Sequence, residues 1–329
     1  MTDTPSPALP GWNHTPPVPL LVSPLFQWPP RPAAVLRWFW DSWFLISEKL
    51  ILLGIAFACV AWIQPPLDVT ARVAPDWLLE IWLRNLVLMT LVAGGLHFYF
   101  YRWSLQGQRL KYDARPLMVS GKQFTLGGQI RDNMFWTLAS GVTIWTGYEV
   151  LIFWAMGNGV APVLTWGQSP VWFVALFLLI PLWESFHFYW IHRLIHLPFL
   201  YKHVHSLHHR NVNVGPWSGM SMHPAEHLIY LSAGLIFLVV PAAPVHVLFL
   251  MQYLTLTAAT THTGFAGMLL KDKNRLKLGT FHHQMHHRYF ECNYGSLEIP
   301  WDKLFGSFHD GTPEANARMK QRRKRIMGA

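Results

Sequence analysis

Residues 171–196 read VWFVALFLLIPLWESFHFYWIHRLIH, an apolar run that passes without a break into two histidines four positions apart. As a helix, the run is long enough to cross the ~30 Å hydrocarbon core of a bilayer. On the same helix His192 and His196 stack on one face, as two ligands of one metal would. The stretch therefore predicts a membrane span that delivers a metal-binding motif to the membrane surface.

Three further stretches meet the same length test: Trp43 to Ile63, Asn85 to Tyr101 and Met134 to Met156. The run from His227 to His262 is also apolar, but Pro241 and Pro244 divide it into arms too short for a full crossing. It predicts a hairpin that leaves and returns on one side. Composition agrees with a membrane protein: of 329 residues 52% are hydrophobic, 15% aromatic and 13% charged, about half the charge of a soluble domain. The expected fold is an all-α integral membrane protein, with about four transmembrane helices, a proline-broken membrane hairpin and a cytoplasmic histidine-rich helical cap holding a dimetal site. Its parts are a Pro-rich cytoplasmic N-terminal segment (1–40), transmembrane helices 1–3 with a basic cytoplasmic loop at 102–132 (41–170), a catalytic region (171–309) and a basic C-terminal tail (310–329).

Short cytoplasmic loops are enriched in Lys and Arg. The segment between the second and third spans carries Arg102, Arg109, Lys111, Arg115, Lys122 and Arg131, against Arg72 alone in the first external loop. Four crossings from a cytoplasmic N-terminus place every histidine motif and both termini in the cytoplasm. The tail run of Arg318, Lys320, Arg322, Arg323, Lys324 and Arg325 suits an anionic leaflet, and a plain solvated tail accounts for it equally. The net charge of +9 is thus read as membrane orientation; no interleaved basic and aromatic motif points to nucleic acid.

The first 32 residues hold ten of the 24 prolines and almost no charge, unlike a secretory signal. They predict an irregular strap over the cytoplasmic face, with Trp12, Trp28, Trp38 and Trp40 as interfacial anchors. Cys59 and Cys292 are the only cysteines, which excludes a disulfide framework, a thiolate zinc ribbon and an iron–sulfur cluster.

Fifteen of the 18 histidines lie between His187 and His287. HSLHH at 205–209 and HQMHH at 283–287 join HRLIH at 192–196. His205 pairs across one helical turn with His208 or His209, and His283 with His286 or His287. Adjacent histidines diverge by about 100° around a helix, so one member of each adjacent pair can face a second ion. Eight imidazoles exceed the roughly four ligands of a tetrahedral site, which predicts two metals. Imidazole suits zinc, copper, nickel and iron alike, so spacing does not name the element. His262, in THTG at the return of the hairpin, sits at the right depth for a further ligand. His223 in MHPAEH, His227 one turn on and His282 beside His283 complete the candidate metal set, although Pro224 and Glu226 also mark His223 as a plain helix start. His187, His203 and His246 read as interfacial or packing histidines, and Glu149, inside the third span, is left outside the site.

The order HRLIH, HSLHH, MHPAEH, THTG, FHHQMHHRYFECNYG and WDKLFGSF resembles the fatty acid hydroxylase and sterol desaturase superfamily of membrane histidine-box di-iron oxygenases, over residues 171 to 309. The landmarks Asn293, Tyr294, Gly295, Trp301, Asp302, Phe305 and Gly306 fall in its pattern, and 282–308 looks most like the lathosterol oxidase type of sterol desaturase. WESFHFYWIH departs from it, with Glu184 and His187 near where many relatives carry an aspartate. The resemblance implies two iron ions held by His192, His196, His205, His208, His209, His283, His286 and His287, with His262 the next addition. It implies O2 as co-substrate and a lipid C–H bond hydroxylated or desaturated. Electrons then come from outside, because no GxGxxG, cysteine cluster or haem domain is present. A ferredoxin or small haem protein with its reductase is implied, and the basic loop offers it a docking face. Two alternatives stand beside this reading. A zinc-dependent membrane lipid hydrolase needs only about three protein ligands and one metal. A non-enzymatic metal transporter places its ligands in crossing helices near the bilayer midplane.

Overall fold

The computed structural model describes residues 9, 11–44 and 46–327, apart from the side chains of 320 and 322–327. The basic side chains expected at Lys320 and Arg322 to Arg325, and most of the first ten residues, lie outside that description. Five helices lead the fold: α1 (Pro32–Trp43), α2 (Glu48–Trp62), α3 (Pro75–Arg102), α4 (Gln129–Gly157) and α5 (Pro170–Ile195). α3, α4 and α5 are each long and apolar enough to cross a membrane, and α1 with α2, bent by 41°, make a fourth if taken together. Proline at the first turn starts α1, α3 and α5, where its missing N–H costs nothing.

α3 begins well before the expected Asn85 because the charge at Arg84 is buried and matched. Arg84 pairs with Glu149 of α4, Asn85 donates to the same carboxylate oxygen at 2.9 Å, and Trp145 Nε1 donates to the other at 2.8 Å. Glu149 is thus part of a polar knot between spans, away from the histidines.

α6 (Pro224–Leu238) and α7 (Pro244–Thr261) form the proline-broken hairpin. α7 is apolar on every face and buried along nearly its whole length, packed on α2, α4 and α5, as a core helix must be. The expectation of an all-helical chain is corrected by a small antiparallel sheet, β1 (Met268–Leu270) and β2 (Lys273–Leu276).

The start of α2, the end of α3, the start of α4 and the end of α5 meet at one end of the bundle. There Tyr101 donates to the Thr263 carbonyl at 2.7 Å, Gln129 donates to Asn211 at 3.0 Å, and Glu48 and His192 line one cavity. Such alternation is what a chain passing up and down produces. The basic loop folds onto the same end, with Arg210 donating to the Gln123 carbonyl at 2.9 Å and Asn213 to the Arg115 carbonyl at 2.8 Å. The N-terminal strap crosses there too. Trp12 is not an interfacial anchor: it is buried edge-on against Phe281 at 4.8 Å, with the Arg288 guanidinium 4.1 Å from its ring.

Candidate metal centre

Three short helical pieces carry the boxes: the end of α5, the continuous turns Tyr201–His205 and Ser206–His209, and α8 (Phe281–Tyr289). Thr280 caps α8 by accepting from the His283 N–H at 3.3 Å. These pieces carry eight histidines which, with His262 at the end of α7, fall into two groups. His192, His196, His205, His209 and His286 form one, and His208, His262, His283 and His287 the other; within each group the nearest ring nitrogens lie within 4.8 Å of one another. The adjacent pairs His208/His209 and His286/His287 are split between the groups, as the helical angle requires.

The outer ring nitrogens fix which nitrogen faces inward. Nδ1 of His192 lies 2.6 Å from the Tyr294 carbonyl, that of His286 2.7 Å from the Cys292 carbonyl and that of His262 2.7 Å from the Ala258 carbonyl. A carbonyl only accepts, so each Nδ1 carries the proton and each Nε2 presents a lone pair. His205 Nδ1 lies 2.7 Å from the Glu226 carboxyl, whose pKa burial raises, and its Nε2 is buried with no hydrogen-bond partner. These Nε2 atoms crowd together. His209 sits 3.2 Å from His196 and 3.1 Å from His286, while His262, His283 and His287 are separated by 3.0, 3.1 and 3.2 Å.

Nitrogens so gathered suit a cation lying among them. A metal about 2.1 Å from each imidazole nitrogen holds neighbouring nitrogens about 3.0 Å apart at right angles. The residues therefore fit two bound metal ions. Burial pushes the imidazoles of His205, His208, His209, His283, His286 and His287 well below the usual histidine range, and neighbouring histidines add repulsion. They are neutral at neutral pH, the state in which imidazole coordinates.

His223, His227 and His282 stand apart from both groups, so the geometry does not extend the set to them. His223 caps α6, its Nδ1 accepting from the Ala225 N–H at 3.2 Å. His227 bridges Ser140 and the Met220 carbonyl, each at 3.0 Å. His282 turns toward Asp302, 3.6 Å away, and Phe308. Sequence reading missed Glu226, treated as a helix-start residue; its signal was a carboxylate one turn into the helix that follows the second box.

The landmark motifs act through the backbone. Asp302 accepts from the Tyr294 and Gly295 N–H groups at 2.8 Å each and from Ser307 at 2.6 Å. This clamp aims the Tyr294 carbonyl at His192. Asn293 adopts a left-handed φ of 57° there, and a Cβ at Gly295 would stand 3.1 Å from Tyr189 and 3.2 Å from Asp302.

A cavity of about 680 Å³ adjoins the histidines, with His192, His205, His208, His262 and His283 on its wall and Phe188, Ile191, Met222 and Tyr230 among its apolar lining. Its polar corner holds Glu48, bonded to Thr260, Glu298, paired with Lys49, and Glu184.

Residues 177–307 match the fatty acid hydroxylase family. Among curated proteins, the chain is 30% identical over 146 residues to a Delta(7)-sterol 5(6)-desaturase of Gibberella zeae, covering 44% of each. It is 30% identical over 166 residues to one of Aspergillus fumigatus, covering 49% of this chain and 45% of the relative. To one of Saccharomyces cerevisiae it is 31% identical over 121 residues, covering 36% and 32%. The matched stretch spans less than half the length of each relative. No solved structure matches the chain.

Proposed function

We propose, from the premise that residues 177–307 form a fatty acid hydroxylase domain of the sterol desaturase type, that this oxidoreductase hydroxylates or desaturates a lipid C–H bond with O2 at a di-iron centre. One observation carries the reading: eight buried imidazoles and the half-buried His196 crowd their nearest nitrogens into two groups, and five of the nine stand on the wall of a lipid-sized cavity. Bound iron supplies the oxidising power that no side chain has.

The chain's own residues do the rest. His192, His196, His205, His209 and His286 would hold one ion, and His208, His262, His283 and His287 the other. The carbonyls of Tyr294, Cys292 and Ala258, with the Glu226 carboxylate, lock ring orientation and tautomer. Phe188, Ile191, Met222 and Tyr230 hold a hydrocarbon against the histidine wall and exclude water. The relatives are named for acting on Delta(7)-sterols, and a sterol or fatty acyl lipid is the substrate class proposed here. Electrons come from a separate ferredoxin or small haem protein with its reductase, docked on the basic loop between α3 and α4. Four crossings, with both termini and the histidine end in the cytoplasm, complete the proposal; the excess of Lys and Arg in that loop supports it.

Lipids of cells producing the intact chain, compared with cells producing His286→Ala, test this. One lipid that loses two hydrogens or gains one oxygen atom only with the intact chain supports it. Lipid cleavage that proceeds without O2 overturns it in favour of a metal hydrolase.

A further inference from the structure

The N-terminal strap and α1 lie outside the matched residues 177–307, yet they build one wall of the histidine cavity. Leu21 and Pro24 of the strap and Ala34 and Trp38 of α1 face the space whose far wall carries His205 and His283. At that far wall the lining is buried. At the near end Leu21 is 73% exposed and Arg31 is exposed as well, so the cavity reaches the surface beside α1.

The outer surface around this opening sets the exposed charges of Arg31, Arg37 and Asp41 among large apolar side chains. Leu25, Phe26, Trp28, Leu36 and Trp40 are exposed at 44%, 48%, 90%, 70% and 53%, and no residue of α1 is buried. A soluble surface rarely gathers such a patch, whereas tryptophans among aliphatic side chains are the composition of a membrane–water boundary. α1 is about 18 Å long, too short to cross the ~30 Å core by itself, and bent by 41° from α2 it supplies the outer end of the crossing that the two make together. A short helix with exposed apolar residues, set aslant at the end of a span, lies in the interface. The strap is held in place beside it, with the Leu20 N–H donating to the Asp310 carbonyl at 2.8 Å and the Ser23 N–H to the Leu297 carbonyl at 3.1 Å.

We infer that the strap and α1 form a membrane-seated mouth through which a lipid of the adjoining leaflet passes to the histidine wall. This rests on the lipid oxidation proposed above. Continuity selects the occupant: the apolar collar borders the cavity opening, so a hydrocarbon moving from bilayer to cavity never crosses water, and a protein partner seated on the collar would block it. Because the mouth is built outside the matched region, it is where this chain sets its own lipid selectivity.

Cys59 and Cys292 are buried, so a cysteine placed at the mouth is the reactive thiol. Ala34→Cys lines the mouth, and Ala33→Cys, exposed on the same helix and absent from the lining, is the control. Each variant is alkylated with a bulky maleimide, reconstituted in phosphatidylcholine vesicles containing a Delta(7)-sterol, and supplied with O2 and a reduced ferredoxin with its reductase as electron source. Modification at 34 raises KM about tenfold with kcat retained, modification at 33 changes KM less than about twofold, and metal content stays constant. Unchanged KM at 34, or an equal rise at both positions, overturns the inference. A second measurement is independent of turnover: a nitroxide on Leu36→Cys in phosphatidylcholine vesicles collides more with O2 than with a water-soluble nickel chelate. The reverse order overturns the membrane-seated mouth even if the chain oxidises no lipid, an outcome that by itself counts only against the proposed function.

Discussion

His205 Nδ1 lies 2.7 Å from the Glu226 carboxyl, a contact that turns the buried, otherwise unpartnered Nε2 into the five-histidine group. Carboxylate partners of this kind orient a ligand and raise its basicity. Glu226→Ala should lower metal affinity at that group about 10- to 100-fold, measured by chelator competition, while Glu226→Gln, which keeps an acceptor oxygen, should lose less. Equal retention in the alanine variant contradicts the role.

His262 separates the two groups of candidate ligands from the histidines beside them. His262→Ala should remove one of two bound ions. His223→Ala and His282→Ala should retain both, because those rings cap a helix and face Asp302 instead. Elemental analysis of the three purified variants checks this, and loss of metal from His223→Ala counts against the grouping.

Asp302 holds two backbone N–H groups at the turn that supports His192. Asp302→Ala orphans both, each at about 1–3 kcal/mol, so a loss of about 2–6 kcal/mol is expected. A lowered thermal midpoint in detergent, together with weaker metal retention, is the signature. A midpoint equal to that of the intact chain contradicts the clamp.

Much of this was legible in the sequence, and for physical reasons. Boxes at one-turn spacing act locally, so the splitting of His208 from His209 and of His286 from His287 follows from helix geometry alone. The resemblance over the histidine region likewise agrees with the matched family. What stayed hidden depends on tertiary pairing. Arg84 reads as the flank of the second span and Glu149 as a lone carboxylate inside the third until they meet inside the bundle. α7 reads as a hairpin arm because its core role depends on what surrounds it. Glu226, the clamp of Asp302 and the burial of Trp12 against Phe281 are contacts between distant segments, which no period in the sequence encodes.

The Arg84–Glu149 pair gives a separate stability test. Removing one partner of a buried pair leaves an uncompensated charge at about 3–5 kcal/mol, whereas replacing both with apolar residues is often neutral. Arg84→Met and Glu149→Leu should each lower the thermal midpoint sharply, and the double variant should recover most of it. Additive losses in the double variant contradict the pairing.

The central claim is that nine imidazoles in two groups hold two ions. Metal content per chain, measured on protein purified from iron-replete cells without added metal, tests it most directly. Two ions per chain are expected in the intact protein and one in His262→Ala; a single ion in the intact protein, or none, overturns the two-metal centre.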